Sequence, residues 1–287
     1  MTGPAARILR DGRLHLQHGP IDLIIDAEGN RVAALNAARA RFETILSELV
    51  AELPELRAPM SPSTALPKGQ TARRMHIATA PHSATFITRM AAVAGAVADE
   101  ILAAMLPCGL SRAYVNNGGD IALHLAPGSS YQTAIMAHDG APLGRIALAY
   151  EDGARGIATS GWRGRSHSLG IADSVTVLAR NAAEADVAAT LIANAVDLPH
   201  HPAVTRARAD TLSPDSDLGA RLVVTGVGPL PLTDIDRALN QGLATARAMQ
   251  QSGTLLAAAL FLQGQARTVG HSELSLSHQQ NRTLAYA

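Results

Sequence analysis

The sequence predicts a mixed α and β fold, because segments with the two-residue period of strands and segments with the helical period both occur along the chain. Residues 8–29 and 112–125 alternate apolar and polar side chains around Gly-containing turns, which predicts strands joined by tight connections. Residues 31–53 and 232–252 repeat their apolar side chains at helical spacing, which predicts long amphipathic helices. With 287 residues, the chain is long enough for one large domain or two small ones.

The composition excludes several classes of function. The 24 basic and 24 acidic residues balance, so no net field favours nucleic acid or an anionic membrane. Three Phe, four Tyr and one Trp leave few platforms on which single-stranded nucleic acid could stack. Cys108 is the only cysteine, which excludes an intrachain disulfide and a zinc site built from cysteines.

A cytoplasmic location is the default expectation, with no membrane partner. No apolar segment of the signal-peptide type follows the basic residues near the start of the sequence. The apolar run from Met90 to Leu106 contains Asp99 and Glu100, and the run 255–262 is too short to span a bilayer.

The first third of the chain predicts short strands, a helix and a long connection. Gly12, Gly19 and Gly29 interrupt the strands of residues 8–29. The helix of residues 31–53 is expected to end at Pro54. Residues 54–80 begin with several prolines and predict an irregular surface connection, either an ordinary loop or a lid.

An Ala-rich helix is predicted within residues 81–106. Gly95 lies inside it and costs about 1 kcal/mol of helix stability relative to Ala. A glycine at that cost indicates close approach of another group, either a packed strand or a cofactor.

Residues 112–125 predict a hairpin whose turn contains Asn116, Asn117, Gly118, Gly119 and Asp120. Asn and Gly tolerate the positive φ angles of tight turns. One interpretation is a plain β-turn; the other is that its backbone N–H groups and Asp120 face a ligand. Residues 131–150 predict two further strands around Asp139-Gly140.

The stretch 156–196 concentrates polar residues in a loop followed by a β-branched strand and an Ala-rich helix. Thr159, Ser160 and Gly161 provide hydroxyls on a bendable backbone. Arg163 and Arg165 have the forked guanidinium geometry that suits phosphate. His167 is either a hydrogen-bonding loop residue or a catalytic one.

The helix after this strand is expected to begin at Asn181 as N-cap, with Glu184 as its capping partner. Asp186 and Thr190 are four residues apart and share one helix face. Their oxygens, with nearby backbone carbonyls, suit a hard cation such as Mg²⁺. The alternative is that Asp186 only interacts favourably with the helix dipole. Further on, residues 221–230 and 254–263 predict strands.

Three segments in order resemble the ApbE-like superfamily, the FAD:protein FMN transferases. Asn116-Asn117-Gly118-Gly119-Asp120-Ile121 is similar to the family's Asn-x-Gly-Gly-Asp-Ile turn. The series Ala158-Thr159-Ser160-Gly161, Ser166-His167 and Ser174-Val175-Thr176-Val177 resembles its Ser-Thr-Ser-Gly, Ser-His and Ser-Val-Thr-Val elements. Ala185-Asp186 with Ala189-Thr190 resembles its Ala-Asp-x-x-Ala-Thr helix start. The chain is most similar to a shorter branch of the superfamily.

The resemblance implies an ApbE-like α+β fold in which antiparallel or mixed sheets pack with long Ala-rich helices, as a single domain over residues 1–270. Residues 271–287 are expected to form a loose tail. The implied ligands are FAD and Mg²⁺, and the implied reaction breaks the FAD pyrophosphate, releases AMP and moves FMN to a hydroxyl of an acceptor protein.

The resemblance also assigns roles to residues. Asp186, Thr190 and the carbonyl of Ala94 are the implied metal ligands, His167 the implied base or orienting residue, and Asn116 to Asp120 the implied nucleotide contacts. We infer from the residues themselves, and not from the resemblance, that Arg163 or Arg165 neutralises phosphate. The Lys of the family's Ala-Lys-Gly helix and its Asp-Pro-x-Thr-Gly segment are missing here.

Two alternatives therefore remain open. One is a flavin- or nucleotide-binding accessory protein without turnover, and the other is an enzyme of the same fold acting on another pterin- or nucleotide-like cofactor. A homodimer packed through small-residue helices is a further expectation.

Overall fold

A computed structural model describes residues 3–270 and 274–276. The strands within these residues are β1 Ala5–Ile8, β2 Leu14–His18, β3 Ile21–Gly29, β4 Leu110–Asn117, β5 Asp120–Leu125, β6 Ser130–Met136, β7 Pro142–Ala149, β8 Gly156–Ser160, β9 Ser174–Ala179, β10 Val204–Arg208, β11 Leu222–Val227, β12 Ala257–Leu262, β13 Gln265–Val269 and β14 Leu274–Leu276. The α-helices are α1 Arg31–Ala51, α2 Leu53–Arg57, α3 Gln70–Thr79, α4 Val93–Met105, α5 Ala182–Ala195, α6 Ala209–Leu212 and α7 Leu232–Gln251. This α+β composition with antiparallel strand pairs confirms the predicted fold class.

The chain divides into two compact units. Among the described residues, the first unit takes residues 3–130, Ala149–Ala158 and Ala179–Val187, and the second takes Tyr131–Leu148, Thr159–Leu178, residues 188–270 and Leu274–Leu276. The chain passes between them several times, so neither unit is one continuous segment. The single domain predicted over residues 1–270 stays a prediction.

The first unit is built on antiparallel strands in the order β1-β2-β3-β4-β5-β8. The predicted hairpin of residues 112–125 is present, with Asn117 paired to Asp120 across its turn. Helices α1 and α4 pack on this sheet and on each other. The core is formed by buried apolar side chains such as Leu23 and Ile25 of β3, Phe42 and Ile45 of α1, and Ile101 of α4.

The second unit contains three sets of strands. Strands β9, β12 and β13 pair antiparallel, β10 pairs with β11, and β7 lies between β6 and β14. Helix α7 packs on β12 and β13 through its buried face, which includes Leu239 and Leu243. The predicted tail from residue 271 lies outside the described residues except for Leu274–Leu276, which pairs with β7 as a strand.

The prediction that Pro54 ends the first helix is wrong by a few residues. Helix α1 ends at Ala51, and Pro54 lies in the first turn of α2. A proline is tolerated there because the first N–H groups of a helix have no intrahelical partner.

The prediction that residues 54–80 form an irregular connection is also wrong. They contain α2 and α3, and they bury Leu56, Met60 and Met75. Arg89, only 2% exposed, holds this segment from the inside. Its guanidinium donates to the carbonyls of Glu55 and Ala65 and contacts Nδ1 of His76. A segment fixed at this many points is part of the folded core rather than a lid.

One helical stretch, Arg89–Cys108, is long and apolar enough to cross a membrane by length and composition alone. Half of its most apolar window is buried inside the fold. Glu100, on the same stretch, accepts hydrogen bonds from Arg41 at 2.8 Å and from Arg74 at 2.7 Å. These contacts are those of a helix in the core of a globular protein.

Candidate functional site

The carboxylate of Asp186 lies at the start of α4. Asp186 is in the second turn of α5, and its Oδ2 accepts a hydrogen bond from the N–H of Gly95 at 3.0 Å. The N–H of Ala94 also interacts with this carboxylate. These two N–H groups favour the charged carboxylate, because the first N–H groups of a helix lack intrahelical partners and carry partial positive charge.

Gly95 allows α5 to reach this position. A Cβ at residue 95 would lie 2.2 Å from the carbonyl oxygen of Ala182, the first residue of α5. The predicted close approach at Gly95 is therefore present, but the group that approaches is the backbone of a helix start rather than a strand or a cofactor. Gly156 of β8 meets the same segment, since a Cβ there would lie 2.0 Å from the carbonyl oxygen of Asn181.

Asp99 is a functional candidate that sequence reasoning missed. It projects from α4, and its carboxylate accepts the N–H groups of Ala182 at 3.0 Å and Ala183 at 2.9 Å. Burial raises the pKa of Asp99 to about 6, against the lowering effect of those two N–H groups. In the sequence, Asp99 stands out only as a carboxylate in an otherwise apolar helix. That pattern does not indicate a hydrogen-bond partner 83 residues away.

Asn181 caps the same helix start, as predicted. Its Oδ1 accepts the N–H of Glu184 at 2.8 Å, which satisfies one unpaired donor of the first turn of α5. The N-terminus of α5 thus has one cap from its own sequence and one from α4.

The turn between β4 and β5 brings two predicted site residues to the start of α4. Asn117, 6% exposed, donates from Nδ2 to the carbonyl oxygen of Ala94 at 3.0 Å. The charge of Asp120 acts on Asp186, whose pKa is raised well above its usual range by burial first and by Asp120 second. Asn116 shapes the turn instead, because its Oδ1 accepts the N–H of Gly119 at 2.8 Å.

Four of the predicted site residues therefore meet in the first unit: Ala94, Asn117, Asp120 and Asp186. Two carboxylates and a backbone carbonyl are hard oxygen donors of the kind that Mg²⁺ takes. The described residues contain no group of three or more His, Cys, Asp or Glu suited to a metal, so backbone, hydroxyl or ligand oxygens are needed to complete a cation site. Thr190 lies one helical turn after Asp186 and belongs to the second unit, and its role as a ligand stays a prediction.

The other predicted residues lie on the loop after β8, in the second unit. The hydroxyl of Thr159 is 3.0 Å from that of Thr176. Gly161 has a φ of 155°, and a Cβ there would lie 2.6 Å from the carbonyl oxygen of Asp173. Ser160 is half-buried next to it. Glycine is required at this bend because the loop folds directly onto the start of β9.

Arg163 already has partners. Its Nε donates to Oδ1 of Asp173 at 2.9 Å, and its guanidinium lies 4.5 Å from the ring centroid of Trp162. Asp173 also accepts from Nε1 of Trp162 at 3.1 Å and from the N–H of Gln263 at 2.6 Å. A phosphate at Arg163 would therefore meet a guanidinium whose Nε is already bonded to a carboxylate. Arg165 and His167 are exposed on the same loop.

The fold and this arrangement define a class of protein: an α+β protein with a carboxylate pair at a helix start and a Gly-containing turn beside it. The family model described as AbpE bacteria (AbpE_bact) matches residues 6–268. The chain belongs to this family, within the ApbE-like superfamily, and the resemblance stated from the sequence is confirmed.

Curated relatives match only part of the chain. A UPF0280 protein of Methanothrix thermoacetophila is 40% identical over 111 residues, which is 37% of this chain and 45% of the relative. A UPF0280 protein of Methanopyrus kandleri is 42% identical over 107 residues, which is 37% of this chain and 42% of the relative. The chain therefore spans less than half the length of these relatives, and their names state no activity.

Among solved structures, the apo form of the flavinyl transferase ApbE of Pseudomonas stutzeri is similar, with 13% identity and a TM-score of 0.40. The alignment covers 96% of this chain and 94% of that one.

Proposed function

We propose that this chain is a Mg²⁺-dependent enzyme that binds FAD, breaks its pyrophosphate with release of AMP, and passes FMN to a hydroxyl of an acceptor protein or to water. Membership of the AbpE bacteria family supports the flavin-related class. The observation that carries the proposal is the pair of carboxylates, Asp186 and Asp120, beside the carbonyl of Ala94 at the start of α4.

The residues at this place fit a divalent cation. Burial and the charge of Asp120 raise the pKa of Asp186, so two negative charges here oppose each other at a cost that a cation would remove. Asp186 and the Ala94 carbonyl would hold the ion, with Asp120 beside them and the hydroxyl of Thr190 as a further oxygen. When bound, Mg²⁺ supplies charge neutralisation at a pyrophosphate, which is the main requirement of phosphoryl transfer.

The remaining predicted residues receive proposed roles in binding. The turn from Asn116 to Asp120 would contact the nucleotide, and open space beside Gly119 leaves room for close approach. Thr159, Ser160 and Gly161 would bind on the other loop, with Arg163 and Arg165 as phosphate contacts. His167 is exposed, which suits a residue that orients the hydroxyl of a large acceptor.

The test is to incubate the protein with FAD, with and without Mg²⁺, and to measure AMP by chromatography and binding by flavin fluorescence. We expect AMP only with Mg²⁺, and we expect Asp186→Asn to lower its rate by about 100-fold or more, as loss of a charged group that positions a transferring phosphate does. Asp22→Asn is the matched control, because Asp22 is a half-buried aspartate of the same unit that pairs with His15 at 3.0 Å. Equal AMP release by the Asp186 variant, folded to the same extent, would remove Asp186 as a ligand.

A non-catalytic flavin- or nucleotide-binding protein is the second candidate. It is favoured by Arg163, whose charge is already paired with Asp173 and whose guanidinium is stacked on Trp162. FAD binding without AMP, even when an acceptor protein is supplied, would select this candidate. Absence of FAD binding would direct the search to another pterin- or nucleotide-like cofactor. A cytoplasmic location is part of the same proposal.

A further inference from the structure

We propose that Asp99 is a positioning residue for the cation site: by binding the first N–H groups of α5 from α4, it sets where Asp186 meets the start of α4. This inference rests on the proposed function in assigning a cation to Asp186. The positioning itself is a property of the two helices and is testable without the cation.

The argument begins with a reciprocal arrangement of caps. Asp99 of α4 accepts two N–H groups from the first turn of α5, at 3.0 and 2.9 Å. Asp186 of α5 accepts the N–H of Gly95 in the first turn of α4, at 3.0 Å. Each helix therefore supplies the carboxylate that satisfies the N-terminus of the other, and we call these contacts the reciprocal caps.

The contact between the two backbones makes the arrangement stiff. The carbonyl of Ala182 lies against Gly95 so closely that a Cβ at residue 95 would be 2.2 Å from it. Gly156 lies as close to the preceding residue, because a Cβ there would be 2.0 Å from the carbonyl oxygen of Asn181. The helix start cannot move towards either glycine, and the Asp99 carboxylate holds its first two N–H groups.

The position of α5 matters because the proposed ligands come from different helices. Asp186 belongs to α5, and Ala94 belongs to α4, where its carbonyl also accepts from Asn117. A small slide of α5 changes the distance between the Asp186 carboxylate and the Ala94 carbonyl directly. Residues that orient ligands in this way typically change metal affinity by about 10- to 100-fold when they are replaced.

The chain offers a matched control for this claim. Asn181 caps the same N-terminus of α5 through the N–H of Glu184, at 2.8 Å, without any contribution from α4 in that bond. Asn181→Ala removes a cap of the same helix end, but leaves the reciprocal caps. Asp99→Ala removes the reciprocal cap, and Asp99→Asn keeps one of its two acceptor oxygens in case the alanine variant does not fold.

The experiment measures two quantities in each variant: the affinity for Mn²⁺, used as the probe ion, and the hydrogen exchange of the Ala94 and Gly95 amides by NMR. We expect Asp99→Ala to weaken Mn²⁺ binding by about tenfold or more and to speed exchange at Gly95, although Asp99 does not contact that amide. Asp99→Asn should lie between wild type and Asp99→Ala. Asn181→Ala should lower thermal stability but leave both quantities within about twofold of the wild type.

Unchanged exchange at Gly95 in the Asp99 variants overturns the inference, whatever the metal result. An equal loss of Mn²⁺ affinity in Asn181→Ala and Asp99→Ala also overturns it, because general loosening of the helix start then explains both. If the wild type binds no Mn²⁺, the cation in the proposed function is wrong, and the exchange at Gly95 still decides whether Asp99 positions Asp186.

Discussion

At the scale of single residues, Gly95 and Asp99 decide how α4 and α5 meet. Gly95 lies against the carbonyl of Ala182 and donates its N–H to Asp186, and Asp99 accepts two N–H groups of the facing helix. Their partners are far away in the sequence. The sequence therefore shows a glycine and a carboxylate in an otherwise apolar helix, but it does not show which groups they contact. Asn117, in contrast, was found from its motif, and the structure places its amide on the carbonyl of Ala94.

Gly95→Ala tests the close contact, because two effects predict opposite signs. Helix propensity alone predicts a gain of about 1 kcal/mol when Ala replaces Gly. The added Cβ would lie 2.2 Å from a backbone oxygen, which cannot move away by changing a side-chain rotamer. We therefore expect a net loss of about 2 to 3 kcal/mol in the free energy of unfolding. Urea unfolding measures this, with Ala104→Gly on the same helix as a control that costs about 1 kcal/mol. A gain in stability for Gly95→Ala would show that the helices separate easily.

Asp99 also predicts how stability depends on pH. Burial is the largest cause that raises its pKa from 3.8 to about 6 in the folded protein, and the charge of Glu184 adds to the rise. The N–H groups of Ala183 and Ala182 and the charge of Arg74 lower the pKa and so oppose this shift. The folded protein then binds this proton more tightly than the unfolded chain. The associated stability is complete below about pH 4 and is lost as the pH rises through about 6.

The measurement is the difference in unfolding free energy between wild type and Asp99→Asn, across pH 4 to 8. We expect the wild type to lose up to about 3 kcal/mol relative to the variant as pH rises through this window, at about 1.4 kcal/mol per pKa unit. The difference should be flat above about pH 7. A difference that grows in favour of the wild type with rising pH would mean that the two N–H groups outweigh burial and lower the pKa.

At the scale of elements, the segment 54–80 shows how a buried charge organises structure that lacks a regular pattern. Arg89 reaches the carbonyls of Glu55 and Ala65 and the ring of His76, so α2, the residues after it and α3 are fixed to one side chain. Burial lowers the pKa of Arg89, with the charges of Glu52 and Glu55 opposing that shift. The hydrogen bonds from one guanidinium to carbonyls of two separate stretches offset the free-energy cost of burying its charge.

Arg89→Met is expected to loosen this segment while keeping the volume of the side chain. Carbonyls left without a donor cost about 1 to 3 kcal/mol each when buried, so hydrogen exchange over residues 54–69 should become faster than in wild type. Mass spectrometry of exchanged peptides measures this, with Arg57→Met as the control from the same segment. Equal exchange in the two variants would mean that the buried Leu56 and Met60 hold the segment without Arg89.

The elements that the sequence predicted well are those whose information is local. The hairpin of β4 and β5 and the helices α1 and α7 combine a clear period with turn or end residues, and the structure places them within a few residues of the prediction. Helix α3 was missed because Pro54, Pro59, Pro62 and Pro67 dominated the interpretation of its surroundings. The proline-rich part ends at Pro67, and Gln70–Thr79 has the composition of an ordinary helix.

At the scale of the whole molecule, the two units are interleaved along the chain. The first unit takes three separate stretches, the last of which ends at Val187 within α5. No change in composition marks these boundaries, so the sequence does not predict them. The family match over residues 6–268 includes every position at which the chain passes from one unit to the other. The expectation of a homodimer stays open, but Gly95, Ala96 and Ala98 of α4 are buried in the folded chain and are not available to a second copy.

The candidate site was predictable to the extent that it lies in motifs. Asp186, Ala94 and the Asn116 to Asp120 turn were named from their resemblance, and the structure brings Ala94, Asn117, Asp120 and Asp186 together. The partners of Arg163 were not predictable, because Asp173 and Trp162 meet it only through the fold of the loop.

The reciprocal caps have a consequence for the order of folding. The bond from Gly95 to Asp186 joins residues 91 apart in the sequence, and those from Ala182 and Ala183 to Asp99 join residues 83 and 84 apart. Closing loops of that length costs chain entropy before any contact compensates for it. We therefore expect the reciprocal caps, unlike the local cap by Asn181, to form late in folding and to act mainly by slowing unfolding.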